Sequence, residues 1–331
     1  MGLDARYDAM MRSARFILIT AVGVLITLAS SRHAAAQEAY TPPAIDLQAV
    51  QLRPQPAPGR TTRYWVWTQR DQTMTMSAAG NRRTLSNRME VEGECVWRIV
   101  SVQGDGGFTA TMTMDWMTVV LTMPDGSVQR NDSRRGRGET QSLHTLLQAM
   151  CGVAVTCDVA ADGTIRSVRG TDAIRRKAGE VPAPDDLDYV ESATDLATLA
   201  GAPASLAAGR GWATAFAWSH DLGTMRYDMR YTLAGVEEIE GIPVANVTGQ
   251  ARMKLDVDRS KIPKGGPAID IRLQKSSFET QVMFDLVRHE AVGRHTTDSR
   301  TIATTIRLPN AAVSQTTDEV IRSQVLRIGE E

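Results

Sequence analysis

Three glutamates, Glu90, Glu92 and Glu94, alternate along one stretch of the chain. On an extended strand, side chains two apart share a face and stand roughly 6.6 Å apart, nominally the separation of an inverting glycosidase pair. Any charged strand face gives the same spacing, so a solvated outer face is the simpler reading. The methionines suggest a second chemistry. There are 15, and Met74/Met76 and Met112/Met114 sit in Thr-Met-Thr-Met runs. Paired thioethers are soft ligands of the kind that select Cu(I), although an adaptable apolar face uses them equally well. None of the 5 histidines belongs to an H-E-x-x-H motif, because His289-Glu290 has no histidine four residues after His289. His33, His144, His220 and His295 are scattered. G-x-S-x-G, G-x-G-x-x-G and Walker A patterns are absent, and Asp256 and Asp258 lack the further oxygen ligands and glycine of a calcium loop. Arg134, Arg135 and Arg137, interleaved with Gly136 and Gly138, form a basic loop that would suit an anionic lipid or polysaccharide but is more simply solvated. No constellation of acid, base and nucleophile is readable, so the chain is expected to be no enzyme and to use no catalytic residue, metal or cofactor.

Three cysteines, Cys95, Cys151 and Cys157, cannot all pair within one chain. Cys151 and Cys157 lie too far apart on an extended segment for a disulfide, whereas a cross-strand pair of Cys95 with Cys157 is geometrically easier. The simpler expectation is buried thiols acting as small hydrophobes, since Val153, Val155, Cys157 and Val159 share one face and Val91, Cys95, Trp97 and Ile99 another.

The elements that position these groups begin with an export signal. Arg12 and Arg15 precede an apolar run, Phe16 to Ala29, and Ala34 and Ala36 fit a cleavage site before Gln37. The run is shorter than the ~20 residues a transmembrane helix needs. Cleavage is therefore expected, with an uncleaved tether to the inner membrane as the alternative. The acidic first residues, MGLDARYDA, suggest a true start at Met10 or Met11. Removing residues 1–36 leaves 33 basic and 36 acidic residues, net −3. That balance, with aromatics at 5%, argues against nucleic acid as a partner. No second run is long and apolar enough to span a membrane as a helix. A spanning outer-membrane barrel is disfavoured by the sparse aromatics and by a chain end, Ile328-Gly329-Glu330-Glu331, without a closing aromatic.

Residues 37–60 are Pro-rich and read as an extended linker that holds the body away from the processed terminus. From Arg63 the pattern takes a period of two. Long runs follow one another, separated by turns at Gly80, Gly104–Gly107 and Pro124–Ser127, which predicts an antiparallel meander of strands long enough to coil and carry bulges. Leu143, Leu146, Leu147 and Met150 form a helical stripe. A hairpin is expected about Asp162-Gly163, then a short helix capped by Thr171 and closed by Gly179. Pro182 and Pro184 precede a helical connector, 182–209. The period of two returns from Trp212 through residue 310, and the tail, 311–331, carries Val320, Ile321, Val325 and Ile328 at a spacing that favours a helix. Trp65 and Trp67 open the first half, 61–181. Trp212 and Trp218 open the second, 210–310, an echo that a duplication would explain.

Two stretches carry a resemblance. VWRIVSVQGDGGFTATMTMD (Val96 to Asp115) with CDVAADGTIRSVRG (Cys157 to Gly170), and YTLAGVEEIEGIPVANVTG (Tyr231 to Gly249), resemble a family of uncharacterised exported bacterial β-rich proteins over about residues 60–310. The resemblance implies export and β architecture and supplies no catalytic residues. It also departs from the family pattern, because Gly211 directly precedes Trp212.

The expected fold is α+β and mostly antiparallel β: two long-stranded, curved, half-barrel-like meander sheets with a few helices between them. The expected function is an exported, non-catalytic protein of the periplasm or cell exterior. It would bind an apolar or envelope-derived ligand, lipid among them, in a curved sheet lined by Trp65, Trp67, Trp97, Met112, Met114, Trp116, Trp212 and Trp218. The alternative is a structural or interaction protein of the envelope whose helices fill the concavity.

Overall fold

The structure, a computed structural model, describes residues 49–78, 81–181, 199–220, 223–259, 268–308 and 311–330. The expected signal, 1–36, the first part of the Pro-rich stretch and most of the expected helical connector lie outside them. The elements are β1 (Thr61–Ala78), β2 (Asn81–Val102), β3 (Phe108–Thr122), β4 (Val128–Asp132), α1 (Gln141–Met150), β5 (Ala154–Val159), β6 (Ile165–Arg169), α2 (Thr171–Ala178), β7 (Gly211–His220), β8 (Gly223–Ile239), β9 (Ile242–Val257), β10 (Ala268–Asp285), β11 (Glu290–Leu308) and β12 (Ala311–Glu330).

β2 pairs β3, β3 pairs β4 and β5 pairs β6 antiparallel across short turns, as the period of two predicts. Gly106, Gly126 and Gly163 sit in these turns at φ 84, 82 and 84, a left-handed backbone that glycine adopts without a Cβ clash. The strands run to 22 residues in β2. Bulges shift the register at Glu94/Cys95 and Ile99/Ser101 between β2 and β3, at Leu233/Gly235 between β8 and β9, and at Leu273/Lys275 and Met283/Phe284 between β10 and β11. Each bulge adds local twist, so strands of this length curve. β4 and β5 share one edge of β3, β4 pairing Thr118–Thr122 and β5 pairing Phe108–Thr113, and α1 bridges the gap between them. The short helix α2 has Gly170, at φ 104, as its N-cap, with Thr171 the first helical residue rather than the cap. Gly179 closes it.

The tail is not a helix. Ala311–Glu330 forms β12, which pairs β1 from Thr62 to Ala78 on one side and β11 from Gly293 to Leu308 on the other. The two expected meanders are thereby one open twelve-stranded sheet, β6-β5-β3-β2-β1-β12-β11-β10-β9-β8-β7, with β4 beside β3. In a strand Val320 and Ile321 point to opposite faces, so the helical stripe is dissolved. The Pro-rich stretch also differs from a simple spacer: Val50 bridges Leu206 at 2.8 Å, and Leu52 is fully buried.

One face of the sheet is covered. In the first half Leu146, Leu147 and Met150 of α1 and Ile174 of α2 join Tyr64, Val91, Cys95, Trp97, Met112 and Cys157 in one core. In the second half Val50, Leu52, Leu199 and Ala202 join Tyr227, Met229, Tyr231, Val247, Val282 and Phe284 in another. Trp212 stacks on Tyr231 with ring centroids 4.9 Å apart, and Tyr227 meets Phe278 edge-on at 5.4 Å.

Candidate functional site

Between the two cores the covered face changes character. On β1, β12 and β11 it carries Thr68, Arg70, Glu319, Ser323, Thr296, Asp298 and Arg300, all buried or nearly so. Arg70 donates to Glu319 Oε1 at 2.5 Å, and Arg300 pairs with Oε2 of the same carboxylate. Arg300 lies 3.9 Å from Asp298, which also accepts the Tyr227 hydroxyl hydrogen at 3.0 Å. Burial pushes Glu319 up, but the Arg300 and Arg70 guanidiniums outweigh it and hold the carboxyl at about 2. Asp298 goes the other way: burial raises it, and Arg300 offsets only part of the effect. A second cluster lies at the start of β1. Arg327 of β12 reaches Glu290 at 2.7 Å and Asp285 at 3.1 Å, while Thr62 of β1 donates to Glu290 at 3.2 Å. Both clusters tie the two halves together through β12.

The residues expected to line one hollow are divided between the two faces. Trp97, Met112 and Met114 are buried in the first core on the covered face. Trp65, Trp67 and Trp116 alternate with the buried series, in register with Glu94, Glu92 and Glu94 of β2 respectively, and Trp65 and Trp67 are partly buried and still pack against the first core. Trp65 donates its indole N–H to Glu92 at 3.2 Å, and the Arg134 guanidinium lies 4.0 Å from the Trp116 ring centroid while pairing with Asp132 at 3.0 Å. Trp212 packs with the second core on the covered face. Trp218 belongs to β7, and its side chain lies outside the described residues.

The chemistry-bearing residues also find their places. Cys95 on β2 and Cys157 on β5 are free and flank β3, so a whole strand separates them. Next-nearest strands stand about 9.5 Å apart, beyond disulfide reach. Burial pushes both thiols up, Cys157 to about 12. His144 is buried on α1, with its Nδ1 atom unpartnered. Among the described residues no group of three His, Cys, Asp or Glu could hold a metal ion.

A groove of about 920 Å³ lies on the open face across β8–β11. Asp228, Arg230 and Thr232 of β8 alternate with buried Tyr227, Met229 and Tyr231 and therefore point to the opposite, open side. Three cross-strand rows build its floor. Asp228 faces Arg252; Arg230 faces Gln250, then Glu279 and Thr297; Thr232 faces Thr248, then Gln281 and His295. One backbone position shapes it from below. Gly249 lies so close to Tyr231 and Thr280 that a Cβ there would stand 2.7 Å from both. No Phe, Tyr or Trp ring lines the groove. Asp228, Arg230, Arg252 and Glu279 take part in no ion pair among the described residues, whereas nearby Lys254 pairs with Asp256 at 2.8 Å. Pattern reading missed this site because its residues resemble an ordinary solvated strand face. Only their position on four adjacent strands brings them together.

These observations define a class: an open antiparallel β-sheet protein with one face packed by helices and loops and the other bearing a polar groove. No family model and no curated protein matches the chain. Among solved structures, lipovitellin, in a structure concerned with its lipid–protein interactions, is similar at 13% identity and a TM-score of 0.42 over 83% of this chain and 26% of that one. The chain thus spans about a quarter of lipovitellin's length. A DUF1329 family protein from Desulfovibrio piger is similar at 9% identity and a TM-score of 0.13, over 76% of this chain and 83% of that one. A domain described as an outer membrane lipoprotein-sorting protein, from Vibrio parahaemolyticus, is similar at 9% identity and a TM-score of 0.14 over the same shares, 76% and 83%. These scores are too low to define a shared fold, and the resemblance seen in the sequence stays without a family assignment.

Proposed function

We propose that the chain is an exported, non-catalytic binding protein of the cell envelope whose ligand site is the groove across β8–β11. One observation carries this reading. The covered face, where an apolar hollow was expected, is occupied by the protein's own Leu146, Leu147, Met150, Leu52 and Leu199. The concavity with unpaired charged groups lies instead on the open face. Its size falls in the range of small-ligand sites, and its lining suits a polar, envelope-derived molecule better than an acyl chain. Export rests on Arg12, Arg15 and the apolar run Phe16 to Ala29. No helix among the described residues is long and apolar enough to cross a membrane.

A structural role in the envelope is the second reading, and the filled cores and the two charge clusters across β12 favour it. Native mass spectrometry of protein purified from its own envelope separates the two. A bound small polar molecule, lost in an Arg230→Ala/Arg252→Ala double variant with an unchanged circular dichroism spectrum, is the expected result. A wild-type protein with no adduct, or with one the double variant retains, contradicts the groove and leaves the structural reading.

A further inference from the structure

The groove is electrically lopsided. On its β8–β9 side Arg230 and Arg252 are diagonal neighbours, with Asp228 directly opposite Arg252, so that side carries two guanidiniums and one carboxylate. Diagonal neighbours in a sheet stand about 7–8 Å apart, close enough for both to reach one carboxylate of a ligand. On its β10–β11 side Glu279 is the charged group, with His295 beside Gln281. Burial, with the Arg322 charge second, holds the His295 imidazole below its ordinary value, so it adds no positive charge near Glu279 at neutral pH. Gln250, Thr248 and Gln281 lie between the two sides and offer both amide donors and acceptors.

We infer that the groove takes a short peptide with free termini, its carboxylate held by Arg230 and Arg252 and its ammonium group by Glu279. This rests on the reading of the groove as the ligand site. Geometry sets the length. A carboxylate seated between β8 and β9 is one and a half strand spacings from β10, about 7 Å, and an extended chain advances about 3.3 Å per residue, which gives about two residue steps, the span of a tripeptide. The lining argues against the other envelope ligands. With no Phe, Tyr or Trp ring in it, the groove lacks the broad stacking platform that suits a sugar, and with no apolar wall it cannot bury an acyl chain. A metal ion is a poor fit, because the two carboxylates, Asp228 and Glu279, stand on strands separated by β9.

Calorimetric titration of the purified full chain with trialanine, beside N-acetyl-trialanine amide, tests the proposal. Trialanine should bind, and the capped peptide should bind about tenfold more weakly or not at all, because charge-assisted contacts are lost at both ends. Arg230→Ala/Arg252→Ala and Glu279→Gln should each weaken trialanine by about tenfold. These side chains are exposed, so an unchanged melting temperature certifies the fold of each variant. Equal binding of the free and capped peptides, or no effect of the variants, overturns the peptide assignment. If trialanine fails to bind while the envelope-derived adduct still depends on Arg230 and Arg252, the peptide class falls and the groove stands. If that adduct survives the double variant, both fall.

Discussion

Arg70 of β1 donates at 2.5 Å to Glu319 of β12, a residue 249 positions later in the chain. The pair is buried, and Arg300 of β11 holds the second oxygen of the same carboxylate. An anion buried alone would be costly, and one clamped by two guanidiniums is compensated. The clamp fixes β12 in the middle of the sheet, where it joins the two halves of the molecule.

Removing that carboxylate leaves two buried guanidiniums facing each other. Glu319→Gln should therefore cost about 3–5 kcal/mol in a urea titration at pH 7. The pH dependence has a definite sign. Glu319 is held at about 2 against an ordinary 4.5, so its contribution is complete above the unfolded value and is lost as the pH falls from there toward 2. Wild type should lose stability over that window faster than Glu319→Gln.

Asp298 should show the opposite slope. Its folded carboxyl is raised by burial, so the folded state binds the proton more tightly than the unfolded chain. Stability from this group falls as the pH rises above the ordinary carboxylate value. Asp298→Asn keeps a partner for the Tyr227 hydroxyl and removes the buried charge. At pH 7 it should cost less than Glu319→Gln, and between pH 4 and 7 its urea midpoint should fall less than that of wild type.

Much of this was readable in the sequence, and the seam was not. Turn chemistry marked the hairpins, as at Asp162-Gly163, and the Leu143–Met150 stripe marked α1, because each is a local signal. β12 escaped because its covered face holds Glu319 and Ser323 beside Ile321 and Val325. A face half polar shows no apolar alternation, and Val320 next to Ile321 imitates a helical stripe. The polar partners that justify those residues, Arg70 and Arg300, lie on other strands. The groove escaped for a related reason, since residues of four strands make it and no local segment contains it.

Gly249 lies beneath the groove, pressed against the Tyr231 ring. Gly249→Ala would place a Cβ 2.7 Å from both Tyr231 and Thr280. Overpacking of this kind costs about 1–3 kcal/mol. A chemical denaturation midpoint lowered by that amount is expected, together with weaker binding at the groove.

The thiols should be silent in the folded protein. Cys95 and Cys157 are buried and raised by that burial, and no disulfide links them. With a maleimide at pH 8, native protein should leave both unmodified, and denatured protein should take up one label at each of its 3 cysteines without prior reduction. Two of the labels missing after denaturation would reveal a disulfide.

Amide hydrogen exchange of the C-terminal strand tests the central claim most directly, that one continuous sheet is joined across its middle by β12. The backbone of Val320 to Leu326 pairs with Trp65 to Asp71 on one side and with Gly293 to Ser299 on the other, so its amides should exchange as slowly as those of β1 and β11. Rapid exchange through this segment, with β1 and β11 protected, would contradict the account.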